Sequence, residues 1–191
     1  MPRTRNEMQG VVHWLALVAG LIAAIPALAA GDKLPPPTAN GAARALVVTH
    51  GPVATQLTTP GSDGHQLGDQ RVLTATPIFD RRAREVGRLD AQLLTTSIDY
   101  PASGDEVRMT TLNFVFGDSS GLLAGSPDQI IVSGSGYYPR QQGTIAGGLD
   151  LMRPIIGGSG RFSGASGSAL TEHLGDDSWR HTLRFILPVR P

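Results

Sequence analysis

The chain has 191 residues, with 16 Lys and Arg against 16 Asp and Glu, and no cysteine. This length bounds it to one domain with an appendage. Charge neutrality leaves no electrostatic footprint for nucleic acid, and the lack of cysteine excludes disulfides, zinc thiolate sites and thiol catalysis.

The remaining composition, 40% hydrophobic and 5% aromatic with 24 Gly and 14 Pro, points to short strands and many turns around a packed core, as in all-β folds. The N-terminus reads as an export signal. Arg3 and Arg5 form a short positive region, residues 11–29 are largely apolar, and Ala27-Leu28-Ala29 is an A-x-A cleavage site. The run also approaches the ~20 residues that span a bilayer, so an uncleaved anchor is the competing reading. Pro26 and the small residues at the junction favour cleavage, with residues 1–30 removed as a signal peptide and the mature protein secreted. Residues 31–44, GDKLPPPTANGAAR, form a Pro-rich extended linker without identifiable chemistry. The folded domain is expected over residues 45–191.

Residues 45–49 and 53–59 are β-rich around a His50-Gly51-Pro52 break, and 60–68 is a polar turn region. Residues 70–80 alternate, with Val72, Thr74, Thr76 and Ile78 on one face and Leu73, Ala75 and Phe79 on the other. Both faces are apolar or β-branched, which predicts a strand covered on both sides, and Pro77 predicts a bulge near its end. A charged turn at 81–85 leads to a return strand over 86–96. A helix over 80–94 competes for this segment, and Gly87 in its middle argues against it. After a turn at 99–105, the strand at 107–116 places Met109, Thr111, Asn113 and Val115 on one side and Thr110, Leu112, Phe114 and Phe116 on the other.

Residues 117–128 read as a loop and 129–138 as a strand in which Gly134 and Gly136 permit strong curvature. Tyr137 and Tyr138 point to its opposite faces. The segment 144–156 leads into the Gly-rich stretch at 154–167, PIIGGSGRFSGASG, and 167–173 leaves it. After a hairpin turn at 175–178, the strand at 179–187 puts Trp179, His181, Leu183, Phe185 and Leu187 on one face.

The Gly-rich stretch is a structural corner. Gly157, Gly158, Gly160, Gly164 and Gly167 supply positive φ and close backbone approach, and Phe162 is expected to plug one end of the core. A phosphate-binding P-loop needs a Lys that is absent, and the dinucleotide fingerprint fails because Ser163 stands at its last glycine. The nucleophile elbow fails at Arg161 and Ser168. About eight strands with no convincing helix suit a closed barrel, filled by side chains or holding one small ligand. A β-sandwich fits the same pattern.

The segment RPIIGGSGRFSGASGSA resembles the signature of the allene oxide cyclase-like barrel superfamily, which includes plant dirigent proteins. In that signature an apolar pair, GG[TS]G, an aromatic and A-x-G follow in order. Residues 67–96, LGDQRVLTATPIFDRRAREVGRLDAQLLTT, resemble the family's hairpin, and the likeness covers roughly residues 45–187. It implies an eight-stranded antiparallel β-barrel that uses no cofactor and forms a homo-oligomer, a trimer by resemblance. The implied activity is that of an isomerase or cyclase, or a dirigent-type protein steering the coupling of a small apolar molecule. The cyclase's first-strand carboxylate has no counterpart here, where that strand offers His50 and Gln56. The position usual for the dirigent pocket Arg is held by Leu151, flanked by Asp150 and Arg153.

Within this reading Tyr137, Asp150, Arg153 and Asn113 are the polar groups expected to reach a ligand. Asp150 and Arg153 form either an ion pair in the cavity or two charges at its rim. Glu172, His173 and His181 are expected at the solvent surface, and no metal site is expected because HExxH and EF-hand spacings are absent. The alternative to a ligand-steering barrel is a non-catalytic secreted carrier or interaction module. The lining of the cavity distinguishes the two.

Overall fold

Alternating apolar and polar positions, broken by Gly, Pro and Asp turns, fold into nine strand segments among the described residues. In the computed structural model these residues are 43–60, 65–117, 127–139, 148 and 150–188. The strands are β1 (Arg44–His50), β2 (Thr55–Thr58), β3 (Gln70–Phe79), β4 (Glu85–Ile98), β5 (Glu106–Phe116), β6 (Asp128–Tyr138), β7 (Asp150–Ser159), β8 (Ser166–Leu174) and β9 (Ser178–Ile186). The expected signal peptide, nearly all of the linker, the loop at 118–126 and residues 144–147 and 149 lie outside the described residues.

Each strand pairs antiparallel with the next from β2 to β9, and β1 pairs with β9 along its whole length. The ring closes where β1 meets β3 at Thr49↔Phe79. Because β2 continues along β3 from Thr55↔Leu73 to Thr58↔Gln70, β1 and β2 act as one stave interrupted at Gly51-Pro52. The result is a closed eight-stranded antiparallel barrel. Residues 85–98 form a strand, so the competing helix does not form.

Strand β3 departs from its expected alternation. Its ladder with β4 shifts between Leu73 and Thr76, where Ala75 takes a left-handed φ of 52° and its N–H donates to Asp90 Oδ1 at 2.7 Å. Arg71 is buried ahead of this bulge, and Thr76 and Ile78 are buried after it, whereas Thr74, Ala75 and Pro77 are exposed. The strand is therefore not covered on both faces and supplies no argument for a partner copy.

Two chemically distinct layers fill the barrel. At the end formed by the Gly-rich corner, a single 3₁₀ turn (Gly160–Phe162) turns Phe162 inward against Phe116 and Phe185, with centroid separations of 5.1 and 5.7 Å. Gly160 has φ +60°, and a Cβ there would run into Asp128. Gly167 has φ +155°, and its Cβ would meet the Arg184 carbonyl. By contrast, Gly157 faces open space. Above this plug, Ile78, Leu89, Phe114, Ile130 and Leu183 form a dry core.

Candidate functional site

Strand β5 explains why the other end of the barrel is polar. Its inward face continues from Phe116, Phe114, Leu112 and Thr110 to Arg108 and Glu106, all buried. Glu106 is the hub of this layer. Its Oε2 accepts from Arg108 Nε at 2.7 Å and from Thr95 Oγ1 at 3.1 Å, with Arg71 Nη1 at 3.6 Å, and its Oε1 accepts from His65 Nδ1 at 2.8 Å. Burial pushes the Glu106 carboxyl up, but the hydrogen bonds from His65 and Arg108 and the charges of Arg108 and Arg71 outweigh it and hold the group below its usual range. The Glu106 hydrogen bond in turn raises His65. Arg108 also lies over the Tyr138 ring, 4.2 Å from its centroid.

A cavity of about 70 Å³ sits between this charged layer and the dry core. Its apolar walls include Leu73, Leu89, Leu93, Leu112 and Trp179, and its polar groups include Arg71, Thr110, Tyr138 and Arg153. A cavity of this size holds several waters' worth of space. Val53, Thr55, Arg71 and Trp179 also line an outer groove of about 350 Å³, bounded by Pro52, Leu57 and Asp177, so the inner cavity opens onto it. Among the described residues no group of His, Asp and Glu converges as a metal ion requires.

Arg153 reaches the cavity because two glycines opposite it carry no side chain. A Cβ on Gly136 would stand 2.6 Å from Arg153 Nη2, and one on Gly134 would touch Arg153 Cγ at 3.5 Å. The β5–β6 ladder runs through both glycines without a register shift, so they provide room rather than a bend. The β6–β7 register ends at Val132↔Ile155, next to Pro154, which has no N–H to offer a ladder. From Nη2, Arg153 donates to Tyr138 Oη at 3.1 Å and to Thr110 Oγ1 at 3.5 Å.

On the facing wall His50 and His181 are both buried, with His50 Nε2 and His181 Nε2 3.1 Å apart. Their protonation follows from their other partners. The Gly51 carbonyl can only accept, so His50 Nδ1 carries a proton and donates to it at 2.8 Å. In the neutral ring His50 Nε2 then accepts from His181 Nε2–H, and His181 Nδ1 accepts from Thr171 Oγ1–H at 3.0 Å. Burial lowers His50, partly offset by its bond to Gly51. Burial, reinforced by the charges of His50 and Arg153, lowers His181 well below the usual imidazole range. Both rings are therefore neutral near pH 7.

Of the four polar groups singled out in the sequence, Arg153 lines the cavity and the other three do not. Tyr137 faces outward and donates to Asp105 Oδ2 at 2.7 Å, while its neighbour Tyr138 faces inward. Asp150 is exposed on the outer face of β7, opposite in direction to Arg153, so the two do not meet inside. Asn113 belongs to the outward face of β5, between Leu112 and Phe114, which point in. His181, expected at the surface, is fully buried because it belongs to the Trp179–Leu183–Phe185 face that fills the interior. His50, Arg71, Arg108 and Glu106 were not singled out as site groups. The last two lie one and two inward steps before Thr110 on the face already recognised in β5.

No family model and no curated protein sequence is similar enough to match the chain. Solved structures are, and the fold they share with this chain is the closed antiparallel β-barrel. A pyocyanin demethylase is similar at a TM-score of 0.54 and 12% identity, covering 74% of this chain and 99% of its own. A pterocarpan synthase dirigent protein is similar at 0.52 and 11%, covering 86% and 99%. The Diels Alderase AbmU from Streptomyces koyangensis is similar at 0.53 and 15%, covering 78% and 70%. At these identities the likeness establishes the fold.

Proposed function

We propose that the barrel binds a small, largely apolar molecule inside its open end and steers its cyclisation or a related isomerisation. One observation carries the reading: Thr110, Tyr138 and Arg153 converge at one side of a cavity whose apolar walls include Leu73, Leu89, Leu93, Leu112 and Trp179. Such a site acts by holding a reactive conformer and polarising one oxygen of it. The His50–His181 pair does not serve as a general base in this scheme, because its ring nitrogens are engaged with each other, Gly51 and Thr171.

The inner cavity is smaller than typical ligand sites of ~300–1,000 Å³, so the ligand extends into the adjoining groove. The solved neighbours of this fold include a Diels Alderase and a dirigent protein, which supports a role in steering ring closure or coupling. The N-terminal export pattern supports action outside the cytoplasm. The test is calorimetric titration of the protein with linear and aromatic alcohols such as octan-1-ol and cinnamyl alcohol. Binding is expected, and Leu112→Trp, which fills the cavity, should abolish it. Binding that survives unchanged in a folded Leu112→Trp variant, or no binding by these alcohols or by the corresponding carboxylic acids, would overturn the proposal.

A further inference from the structure

We infer that the cavity's ligand carries a carboxylate and that Arg153 receives it. The inference rests on the ligand-binding reading above and specifies the class of molecule bound. Arg153 is only 3% exposed, and arginine keeps its charge at any physiological pH. A buried cation is strongly unfavourable unless an anion answers it. Glu106 does not fill that role, because its Oε1 is taken by His65 and its Oε2 by Arg108 and Thr95, with Arg71 beside it. Both hydrogen bonds from Arg153 Nη2 go to neutral hydroxyls, those of Tyr138 and Thr110. Its buried Nε has no hydrogen-bond partner among the described residues.

The surroundings match a carboxylate in shape as well as sign. The glycines at 134 and 136 make room for the Arg153 side chain on the inward face, and a Cβ on Gly136 would stand 2.6 Å from its Nη2. The Tyr138 hydroxyl, which accepts from Arg153, keeps its own proton for donation. A carboxylate on this side of the cavity meets the Arg153 guanidinium and the Tyr138 hydroxyl, and its hydrocarbon body lies against Leu89, Leu93 and Leu112 and runs past Trp179 towards the groove. Leucine walls and a buried Arg153 with no ion-pair partner among the described residues select an apolar monocarboxylate over the matching alcohol, ester or amine.

The probe pair is octanoate against octan-1-ol, with cinnamate against cinnamyl alcohol as an aromatic check, titrated calorimetrically near pH 7. The acids are expected to bind about tenfold or more tightly than their alcohols. Arg153→Gln should erase that preference, bringing acid and alcohol affinities together, and Arg153→Lys should retain part of it. Should Arg153→Gln fail to fold, a crystal structure of the wild-type protein with octanoate decides the point through the carboxylate position. Alcohols and acids binding equally would overturn the carboxylate assignment while sparing the apolar-ligand reading. A preference that persists in Arg153→Gln, or a carboxylate located away from Arg153, would overturn it too. If neither member of either pair binds, both readings fall.

Discussion

At the Gly-rich corner the barrel interior is finished by Phe116, Phe162 and Phe185, and the backbone passes through Gly160 and Gly167 where a side chain has no room. At the opposite end the same inward face of β5 carries Arg108 and Glu106, and the interior is held by ion pairs and hydrogen bonds around one carboxylate. The first end is dry and closed, and its stability comes from contact. The second is charged, requires every partner to be present, and leaves space beside it. Closing one end with aromatic rings permits the other to be polar and to hold a cavity without opening a channel through the barrel.

Removing the organising group at either end should have the largest effect. Phe162→Ala and Glu106→Gln are each expected to lower unfolding free energy in urea by about 3–5 kcal/mol, through a cavity in one case and unanswered arginines in the other. The ends should differ in rescue. Phe162→Leu should recover much of the loss, whereas Glu106→Leu should recover none, since Arg71 and Arg108 remain. A Glu106→Leu variant as stable as the wild type would remove the distinction. A smaller effect is expected between two glycines of the interior and the corner. Gly136→Ala, which collides with Arg153 and Leu151, should cost about 1–3 kcal/mol, and Gly157→Ala, which faces open space, should stay within about 0.5 kcal/mol by the same urea measurement.

The ends should also differ in pH response. His50 and His181 have folded-state pKa values below the unfolded 6.5, so neither affects stability above that pH. As pH falls below 6.5 the unfolded chain takes up protons that the native state refuses. Each ring then removes up to about 1.4 kcal/mol of stability per pH unit. His65, raised by Glu106, has the opposite sign: its contribution is present below 6.5 and lost as pH rises through its folded value. Imidazole proton NMR should show His50 and His181 titrating below the ordinary 6.5 and His65 above it, and the stability slope should persist in Phe162→Leu. Two buried rings titrating near 6.5 would contradict the hydrogen-bond chain assigned to them. The smallest effect belongs outside the barrel. Tyr137→Phe should cost about 1 kcal/mol in urea unfolding by removing one hydrogen bond to Asp105, with octan-1-ol affinity unchanged in the same calorimetric titration.

Much of the barrel was legible because alternation and turn residues mark strands directly. The strand over residues 107–116, the final strand and the Gly-rich corner lie within a residue or two of their expected places, and Phe162 plugs the core as its isolation among glycines implied. The site was less legible because alternation sorts residues into two faces without saying which encloses the interior. Apolar character usually settles that, and it fails where the interior is charged. Tyr137 and Tyr138 are equivalent by composition, and only the placement of Gly136 and Arg108 on the inward face decides for Tyr138. His181 shared a face with Trp179, Leu183 and Phe185, so its burial could be read directly from that pattern. Glu106 and Arg108 needed the same face to be followed past the point where it stops looking like a core.

The bulge at Ala75 has a consequence for how this barrel tolerates change in length. Arg71 and Ile78 are an odd number of positions apart, yet both face inward, because the extra residue resets the frame of the strand between them. The bulge thus works like a splice joining two strand halves, one belonging to the charged layer and one to the dry core. Deleting one residue at this splice would keep one half in frame and turn the other inside out, sending either Arg71 or Ile78 into solvent. Single-residue insertions and deletions at this point therefore exchange the composition of one layer while leaving the other untouched. That makes the splice a place where a lineage of such barrels can alter its cavity without rebuilding its plug.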